Sequence, residues 1–261
     1  MSVRNHENLR FSGHNKIQWI LCAKNSLGIF THQKCIAFLC VSKRHIYCSN
    51  FCAFYYNKMT KVKICGITNY EDAAHALILG ADYIGFNFYK LSPRYVDEAD
   101  VKKIIGKMPN SVKKVGVFVN EKLDEVKKTA EDLNLDLIQL HGDETPEYCN
   151  QLKKETQKEI IKSFRIRNKS DINKIKKYNV DYYLFDSYEE GLYGGTGKTF
   201  DHGLLKNIKK DFFLSGGLNE KNVKRAIKIT KPFAVDAASG VEKNPRKKDP
   251  KKMEAFIKAA K

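Results

Sequence analysis

VKICG, at residues 62–66, is the first of eight short apolar segments that decide the fold. Each segment closes on glycine or on a small group of polar residues. The other seven follow in chain order: YIGFNF (83–88), KVGVFVN (114–120), LIQLHG (137–142), IIKSFRI (160–166), YYLFDS (182–187), FFLSGG (212–217) and FAVDAASG (233–240). Short, almost continuously apolar runs are typical of strands buried on both faces of a parallel sheet. The pattern therefore predicts eight buried parallel strands.

Stretches with helical spacing separate most of these segments. After the first segment, Thr68 and Asn69 are both suitable helix N-caps, and Glu71 lies three residues beyond Thr68 as in a capping box. The run that follows predicts an apolar helical stripe at Ala73, Ala74, Leu77 and Ile78. After the fourth segment, Thr145 and Pro146 predict another helix start, with proline in the first turn.

Strand and helix alternate in this way through the rest of the chain, with a short helix expected near residues 201–208. Eight such units imply a parallel sheet covered by helices on its outer face. We predict a single α/β domain closed as a (β/α)8 barrel, the TIM-barrel architecture. An open doubly wound sheet is the alternative, but the G-x-G-x-x-G turn that it would carry is missing after the first strand.

Residues 1–58 differ in composition from residues 59–261 and form an unmatched N-terminal extension. The extension holds eight Lys or Arg, one acid and five of the seven cysteines. We expect it to be disordered or absent from the native product, with Met59 as the true start. A basic, acid-poor transit peptide and a small partner-binding appendage are alternatives. A weaker alternative is a zinc site, whose spacings do not form a paired C-x₂-C arrangement, at Cys35, Cys40, His45, Cys48 and Cys52.

The net charge of +17 permits binding to nucleic acid or to an anionic membrane surface. The lysines, however, are mostly interspersed with Glu and Asp along predicted helices, which is typical of solvated helix faces. We therefore expect neither partner, and no apolar run approaches the ~18 residues of a membrane-spanning helix. A basic field would still favour a small phosphorylated substrate. The two cysteines of residues 59–261 give no disulfide framework and favour a reducing compartment, the cytoplasm, or an organelle if the extension is a transit peptide.

Two chemically active residues stand where strands should end. In a closed parallel barrel all strands present their carboxyl ends on one face, which carries the chemistry. Cys65 ends the first segment and can serve as a nucleophile or base, or can be a buried structural thiol. Asp186 ends the sixth segment after an apolar run, where a carboxylate needs either a function or a capping partner.

Glycine turns follow the seventh and eighth segments. Gly216 and Gly217 close the seventh, and Ser239 and Gly240 close the eighth. Loops in these two positions form the usual phosphate site of such barrels, so we predict phosphate binding there. Residues 194–199 resemble a nucleotide P-loop, but position 192 would have to be glycine and is leucine, which argues against nucleotide hydrolysis.

Three further side chains are binding candidates. Arg94 follows the second segment and has a guanidinium suited to bidentate recognition of a carboxylate, although a lone arginine is more often a surface residue. Gln139 and His141 end the fourth segment, and His141 is either a general acid or base or a hydrogen-bonded wall residue.

These motifs together resemble the phosphoribosylanthranilate isomerase family of tryptophan biosynthesis. The resemblance covers all eight units, from about Lys61 to the C-terminus, and leaves residues 1–58 unmatched. The segments that carry it are KICGIT, GFNFYKLSPRYV, VGVFVN, IQLHGDE, FDS, YGGTGKTFD, LSGGLNEKNV and AVDAASGVE.

The resemblance implies an Amadori rearrangement by general acid–base catalysis, with no metal and no organic cofactor. By resemblance, Asp186 is the general acid and Cys65 the general base. Arg94 matches the residue near the anthranilate carboxylate, and Gln139, His141 and Asp236 are the other substrate-binding candidates. The phosphate loops match at Gly216, Gly217, Ser239 and Gly240. We expect a monomer or homodimer.

Two other functions compete with this hypothesis. A sugar-phosphate isomerase of histidine biosynthesis would share the barrel and the phosphate loops, but it would favour aspartate in place of Cys65. A non-catalytic phosphate-binding barrel would need the glycines but not Cys65, Asp186 and Arg94 together. The presence of all three therefore favours the enzyme.

Overall fold

The computed structural model describes the backbone of two short N-terminal segments and, with side chains, residues 59–109, 111–166, 168–187 and 201–261. The two segments, Gln18–Ile20 and Ala37–Leu39, pair as antiparallel strands. They belong to one compact unit, Met1–Met59, and the remainder of the chain forms a second, Thr60–Lys261. The proposed zinc ligands and the P-loop-like stretch both lie outside the described residues.

Eight parallel strands of the second unit form a closed barrel in chain order. The last strand returns to the first, with Val235 opposite Val62, so the sheet has no free edge. Closure confirms the predicted barrel and excludes the open sheet. The strands are β1 (Lys61–Cys65), β2 (Tyr83–Asn87), β3 (Lys113–Phe118), β4 (Leu137–Leu140), β5 (Glu159–Ile166), β6 (Tyr182–Ser187), β7 (Phe212–Leu214) and β8 (Ala234–Ala237).

Helices connect these strands along the described part of the chain. They are α1 (Tyr70–Ile78), α2 (Glu98–Ile105), α3 (Leu123–Asp132), α4 (Pro146–Thr156), α5 (Lys169–Ile175), α6 (Val223–Thr230) and α7 (Pro250–Ala260). The short helix expected near residues 201–208 is a single 3₁₀ turn, His202–Leu205, and a second 3₁₀ turn, Ser239–Val241, follows β8. Among the residues described, no helix has both the length and the apolarity needed to cross a bilayer.

The apolar core has two parts, because alternate residues of each strand face opposite sides of the sheet. The larger part packs the outer faces of the strands against the helices. A smaller cluster fills the amino-terminal half of the barrel, where aromatic rings such as Tyr83 and Phe213 meet edge to face. The cluster consists of Tyr83, Val115, Leu137, Ile161, Leu184, Phe213 and Ala234.

The start and the buried face of α1 differ from the sequence-based expectation. The N-cap is Asn69, whose side chain accepts a hydrogen bond from the Asp72 amide, so the capping box of Thr68 and Glu71 is wrong. Thr68 instead donates its hydroxyl to the carbonyl of Arg246. The buried stripe also differs from the expected one, because Ala73 is buried but Ile78 is 82% exposed. The Thr145 cap and Pro146 of α4 are confirmed.

Candidate active site

A layer of polar side chains lies inside the barrel, toward the carboxyl ends of the strands. Each member follows a residue of the inner apolar cluster by two positions, so its side chain points to the same interior face. All of them are buried: Gln139, Ser163, Asp186 and Asp236. Buried polar groups require partners or a function. This layer lies at the end of the barrel where the sequence analysis placed the candidate site.

Cys65 lies beside a fully buried ion pair. Lys63, two residues earlier on β1, donates to both carboxylate oxygens of Asp236 at 3.1 Å. Gly85, opposite Cys65 on β2, makes room for this group. A Cβ on Gly85 would lie 2.8 Å from the Cys65 sulfur and 3.1 Å from the Lys63 nitrogen. Burial raises the pKa of the Cys65 thiol, and the Lys63 ammonium acts against that rise.

Asp186 is held from two sides at the end of β6. Its Oδ1 accepts the amide N–H of Ser187 at 2.7 Å, and its Oδ2 lies 3.4 Å from Nε2 of His141. The other ring nitrogen of His141 contacts the Gln139 amide nitrogen at 2.8 Å. A neutral His141 with its proton on Nε2 satisfies both contacts, because Nδ1 then accepts from Gln139. The Gln139 side-chain oxygen is buried without a hydrogen-bond partner among the described residues.

Arg94 forms a bidentate ion pair with Glu242 near Cys65. Its Nε and Nη2 donate to the two carboxylate oxygens at 2.8 and 2.7 Å. Lys248 also donates to this carboxylate, at 2.9 Å. Burial alone would raise the pKa of Glu242, but Arg94 and Lys248 hold it below its ordinary value. The arginine side chain also crosses Gly66, where an added Cβ would lie 2.5 Å from its Cδ.

The loops after β7 and β8 meet at the glycines predicted to bind phosphate. Gly216 and Gly217 have positive φ angles of 87° and 62°, which favour glycine. A Cβ on Gly216 would lie 3.0 Å from Oδ1 of Asp186, so this turn borders the candidate acid. A Cβ on Gly240 would overlap the carbonyl oxygen of Leu218, so the second loop packs directly on the first. Ser239 begins the 3₁₀ turn after β8 and is half-buried.

Four residues of this region were missed by the sequence analysis: Lys63, Gly85, Glu242 and Lys248. Lys63 was missed because a lysine within an apolar strand interrupts the expected pattern, and because its partner, Asp236, lies 173 residues away in the sequence. The register between the last and first strands could have revealed Lys63, because it sets this lysine opposite Asp236 once the barrel closes.

Two other features of the described residues bear on ligands. No three His, Cys, Asp or Glu side chains converge there in a group able to hold a metal ion. A cavity of about 280 Å³ opens between β5 and α5, and its lining includes Ser163 and Arg165. Neither Cys65 nor Asp186 lines this cavity, so it adjoins the polar layer only at Ser163.

Comparisons with known proteins agree on one family. The family model for N-(5'-phosphoribosyl)anthranilate isomerase matches residues 62–259. The enzyme of that name from Caldanaerobacter subterraneus subsp. tengcongensis is 47% identical over 201 residues, 76% of this chain and 97% of its own length.

Solved structures of the same family share the fold. Monomers generated from the dimeric enzyme of Thermotoga maritima match with a TM-score of 0.70 and 40% identity, over 77% of this chain and 98% of theirs. A family structure in complex with reduced 1-(o-carboxyphenylamino)-1-deoxyribulose 5-phosphate matches with a TM-score of 0.69 and 37% identity, over 77% and 98% of the two chains.

Proposed function

The chain belongs to the N-(5'-phosphoribosyl)anthranilate isomerase family, and on that premise we propose that Asp186 and Cys65 are the acid and base of its reaction. The enzyme isomerises phosphoribosylanthranilate in tryptophan biosynthesis. The observation that supports the assignment is that the buried carboxyl group of Asp186 and the buried thiol of Cys65 both lie at strand ends on the same side of the barrel. A shift of one proton between adjacent carbons needs an acid and a base.

Asp186 opens the sugar ring. Its carboxyl group donates a proton to the furanose oxygen as the bond from that oxygen to C1′ breaks. The lone pair of the anthranilate nitrogen forms the C=N bond of the Schiff base. The contacts of Asp186 support this role, because Ser187 fixes one carboxyl oxygen and leaves the other beside His141.

Cys65 completes the isomerisation. Its thiolate removes the proton from C2′. The electrons of that C–H bond form the C1′=C2′ bond of an enolamine, while the π electrons of the C=N bond return to the anthranilate nitrogen. The enolamine then gains a proton at C1′ and loses the hydroxyl proton at C2′, which gives the ketone. Gly85 supports this role, since the absence of a side chain there leaves space beside the sulfur.

We propose that two groups of residues, at opposite ends of the candidate active site, orient the substrate. The Nη1 group of Arg94 makes no hydrogen bond within the described residues, and we assign it to the anthranilate carboxylate. We assign the phosphate to the loops that contain Gly216, Gly217, Ser239 and Gly240. Backbone amides there can bind an anion without help from side chains. Gln139, His141 and Asp236 form the wall between these two ends.

The direct test is the loss of phosphoribosylanthranilate fluorescence on mixing with the protein. We expect multiple turnovers by the parent chain. Asp186→Asn keeps the shape of the side chain but cannot donate a proton, so kcat should fall by ~10²–10⁴-fold with KM changed much less. A folded Asp186→Asn variant that turns over at the parent rate would remove Asp186 from the mechanism.

The assembly and location of the enzyme are further proposals. The Thermotoga maritima relative is described as dimeric, and we propose that this chain is a monomer or homodimer, to be determined by light scattering.

Cys65 and Cys149 are buried free thiols, which suits the reducing cytoplasm. Fractionation of the source cells tests that location, and recovery in an organelle would favour a transit peptide.

A further inference from the structure

Lys63 is the buried cation closest in the chain to the proposed base, and the mechanism above gives it no role. It lies on β1 two residues before Cys65, so both side chains enter the barrel from the same face. Its exposed fraction is zero. Removing an ammonium group from water is costly, so a lysine in this position is explained only by what it contacts.

The register between β8 and β1 determines one of the two partners of Lys63. Barrel closure pairs β8 with β1 and sets Asp236 directly opposite Lys63. The ammonium nitrogen is 3.1 Å from both oxygens of the Asp236 carboxylate. Although burial lowers the pKa of Lys63, Asp236 and Cys65 together raise it above its ordinary value, so the ammonium form is favoured. Asp236 therefore keeps Lys63 charged inside the barrel.

The other side of Lys63 faces the thiol. The space left empty by the missing side chain of Gly85 is bordered by both the Lys63 nitrogen and the Cys65 sulfur. An opposite charge at such close range favours the charged form of an acid. The protonated lysine can therefore stabilise a thiolate at Cys65 without giving up its own proton.

Other charges also face Cys65 and set the background for this effect. Lys248, which follows β8, favours the thiolate, whereas Asp236 disfavours it. Arg94, which follows β2, also interacts with the sulfur. Lys248 and Arg94 both form ion pairs with Glu242, whose single negative charge offsets one of their two positive charges. Lys63 differs from them in lying directly beside the thiol on the same strand.

We infer that Lys63 is a positioning residue for the reaction: its ammonium, held in place by Asp236, stabilises the Cys65 thiolate that removes the proton from C2′. The inference rests on the proposed role of Cys65. In the step itself the proton passes from C2′ to the sulfur, and Lys63 remains protonated throughout. Lys63 thus offsets part of the effect of burial, which disfavours the thiolate.

The test measures the Cys65 thiol without substrate, so that it is independent of whether Cys65 is the base. The rate of Cys65 carbamidomethylation by iodoacetamide is followed against pH by peptide mass spectrometry on the full chain. In Lys63→Met the midpoint should move to higher pH by about 1–3 units. In Lys63→Arg, which keeps the positive charge, the midpoint should stay near that of the parent. A purely structural role would not depend on whether the new side chain carries a charge.

The matched control is Lys162→Met. Lys162 is also a buried lysine paired with one carboxylate, Glu144, but it lies on β5. Its removal should leave the Cys65 midpoint where it is in the parent. If Lys63→Met does not fold, Lys63→Gln, which can still hydrogen-bond to Asp236 but carries no charge, decides the question by the same shift.

The pH profile of kcat/KM provides the second readout. We expect the acidic limb of Lys63→Met to move to higher pH, with activity partly recovered in alkali. An unchanged alkylation midpoint in folded Lys63→Met, a shift no larger than that of Lys162→Met, or an equally large shift in folded Lys63→Arg would overturn the inference.

Discussion

Arg94 is held in a fixed position by its contacts within the protein, before the carboxylate that we propose as its ligand binds. Two of its nitrogens are fixed by Glu242, and its stem lies on the bare backbone of Gly66, immediately after Cys65. A guanidinium held in this way loses little conformational entropy when a carboxylate binds. The edge of the guanidinium that does not contact Glu242 is thus fixed beside the proposed base, Cys65, before substrate binds.

Arg94→Ala should act mainly on substrate binding. A hydrogen bond to a charged group contributes about 1.5–3 kcal/mol, which corresponds to a KM increase of roughly 10–100-fold. The loss should vanish for a substrate analogue in which aniline replaces anthranilate, because that analogue has no carboxylate. Lys103→Ala is the control, since Lys103 is an exposed cation on α2. Equal losses for substrate and analogue would show that Arg94 does not bind the carboxylate.

The positions of individual candidate residues were predictable where the sequence signal is local. Cys65 and Asp186 stand at the ends of apolar runs, and the strand that precedes each one fixes the direction of its side chain. Lys63, Glu242 and Lys248 were not predictable in this way. Their partners are set by strand pairing and by loops far apart in the sequence, and a buried lysine looks like a break in an apolar pattern.

At the scale of elements, the loops after β7 and β8 act as one surface. Gly240 packs on the carbonyl of Leu218, and Gly216 in the first loop borders Asp186. The proposed phosphate site and the proposed acid are therefore joined through the turn that follows β7. A substrate phosphate bound at these amides would fix the distance from the sugar to Asp186.

Gly240→Ala should separate the two loops. The new methyl group overlaps the Leu218 carbonyl, and overpacking of this kind costs about 1–3 kcal/mol. We expect affinity for inorganic phosphate, measured by calorimetry, to fall together with affinity for substrate. Gly106→Ala is the control, because Gly106 ends α2 and a methyl there would contact only the helix backbone. Parent-like phosphate binding by folded Gly240→Ala would argue against this phosphate site.

Helix ends illustrate the limits of sequence signals for elements. Thr145 followed by Pro146 gave the start of α4 correctly, because both residues favour the same position. Before α1, both Thr68 and Asn69 could serve as the N-cap. Asn69 is the N-cap because its side chain accepts a hydrogen bond from the Asp72 amide and donates one to the Asp72 carboxylate. The same carboxylate accepts a hydrogen bond from the Lys248 amide. That last contact depends on a residue 176 positions away.

At the scale of the whole molecule, the barrel closes without residues 1–58. Its first strand begins at Lys61, and its last strand pairs with that first strand. A protein beginning at Met59 should therefore fold and keep the full isomerase activity of the parent chain. Circular dichroism and the fluorescence assay on both proteins check this expectation. An insoluble or inactive shortened protein would show that the extension contributes to the functional structure.

The architecture was predictable because its signal repeats eight times. Each strand–helix unit is short and ambiguous alone, but the order of eight units leaves few alternatives. The closure of the sheet into a barrel was harder to predict than the order of the units, because an open sheet is built from the same units. What decides for closure is the pairing of β8 with β1, which also brings Asp236 to Lys63. The fold and the electrostatics of the site thus depend on the same contact.

The most direct test of the whole account is the rate of isomerisation by Cys65→Ser. Serine keeps the size of the side chain but is a far weaker base, so removal of the C2′ proton should become very slow. We predict a kcat ~10²–10⁴-fold below that of the parent, with KM and phosphate affinity little changed, in a protein that circular dichroism shows to be folded. Isomerisation at nearly the parent rate by that folded variant would contradict the account.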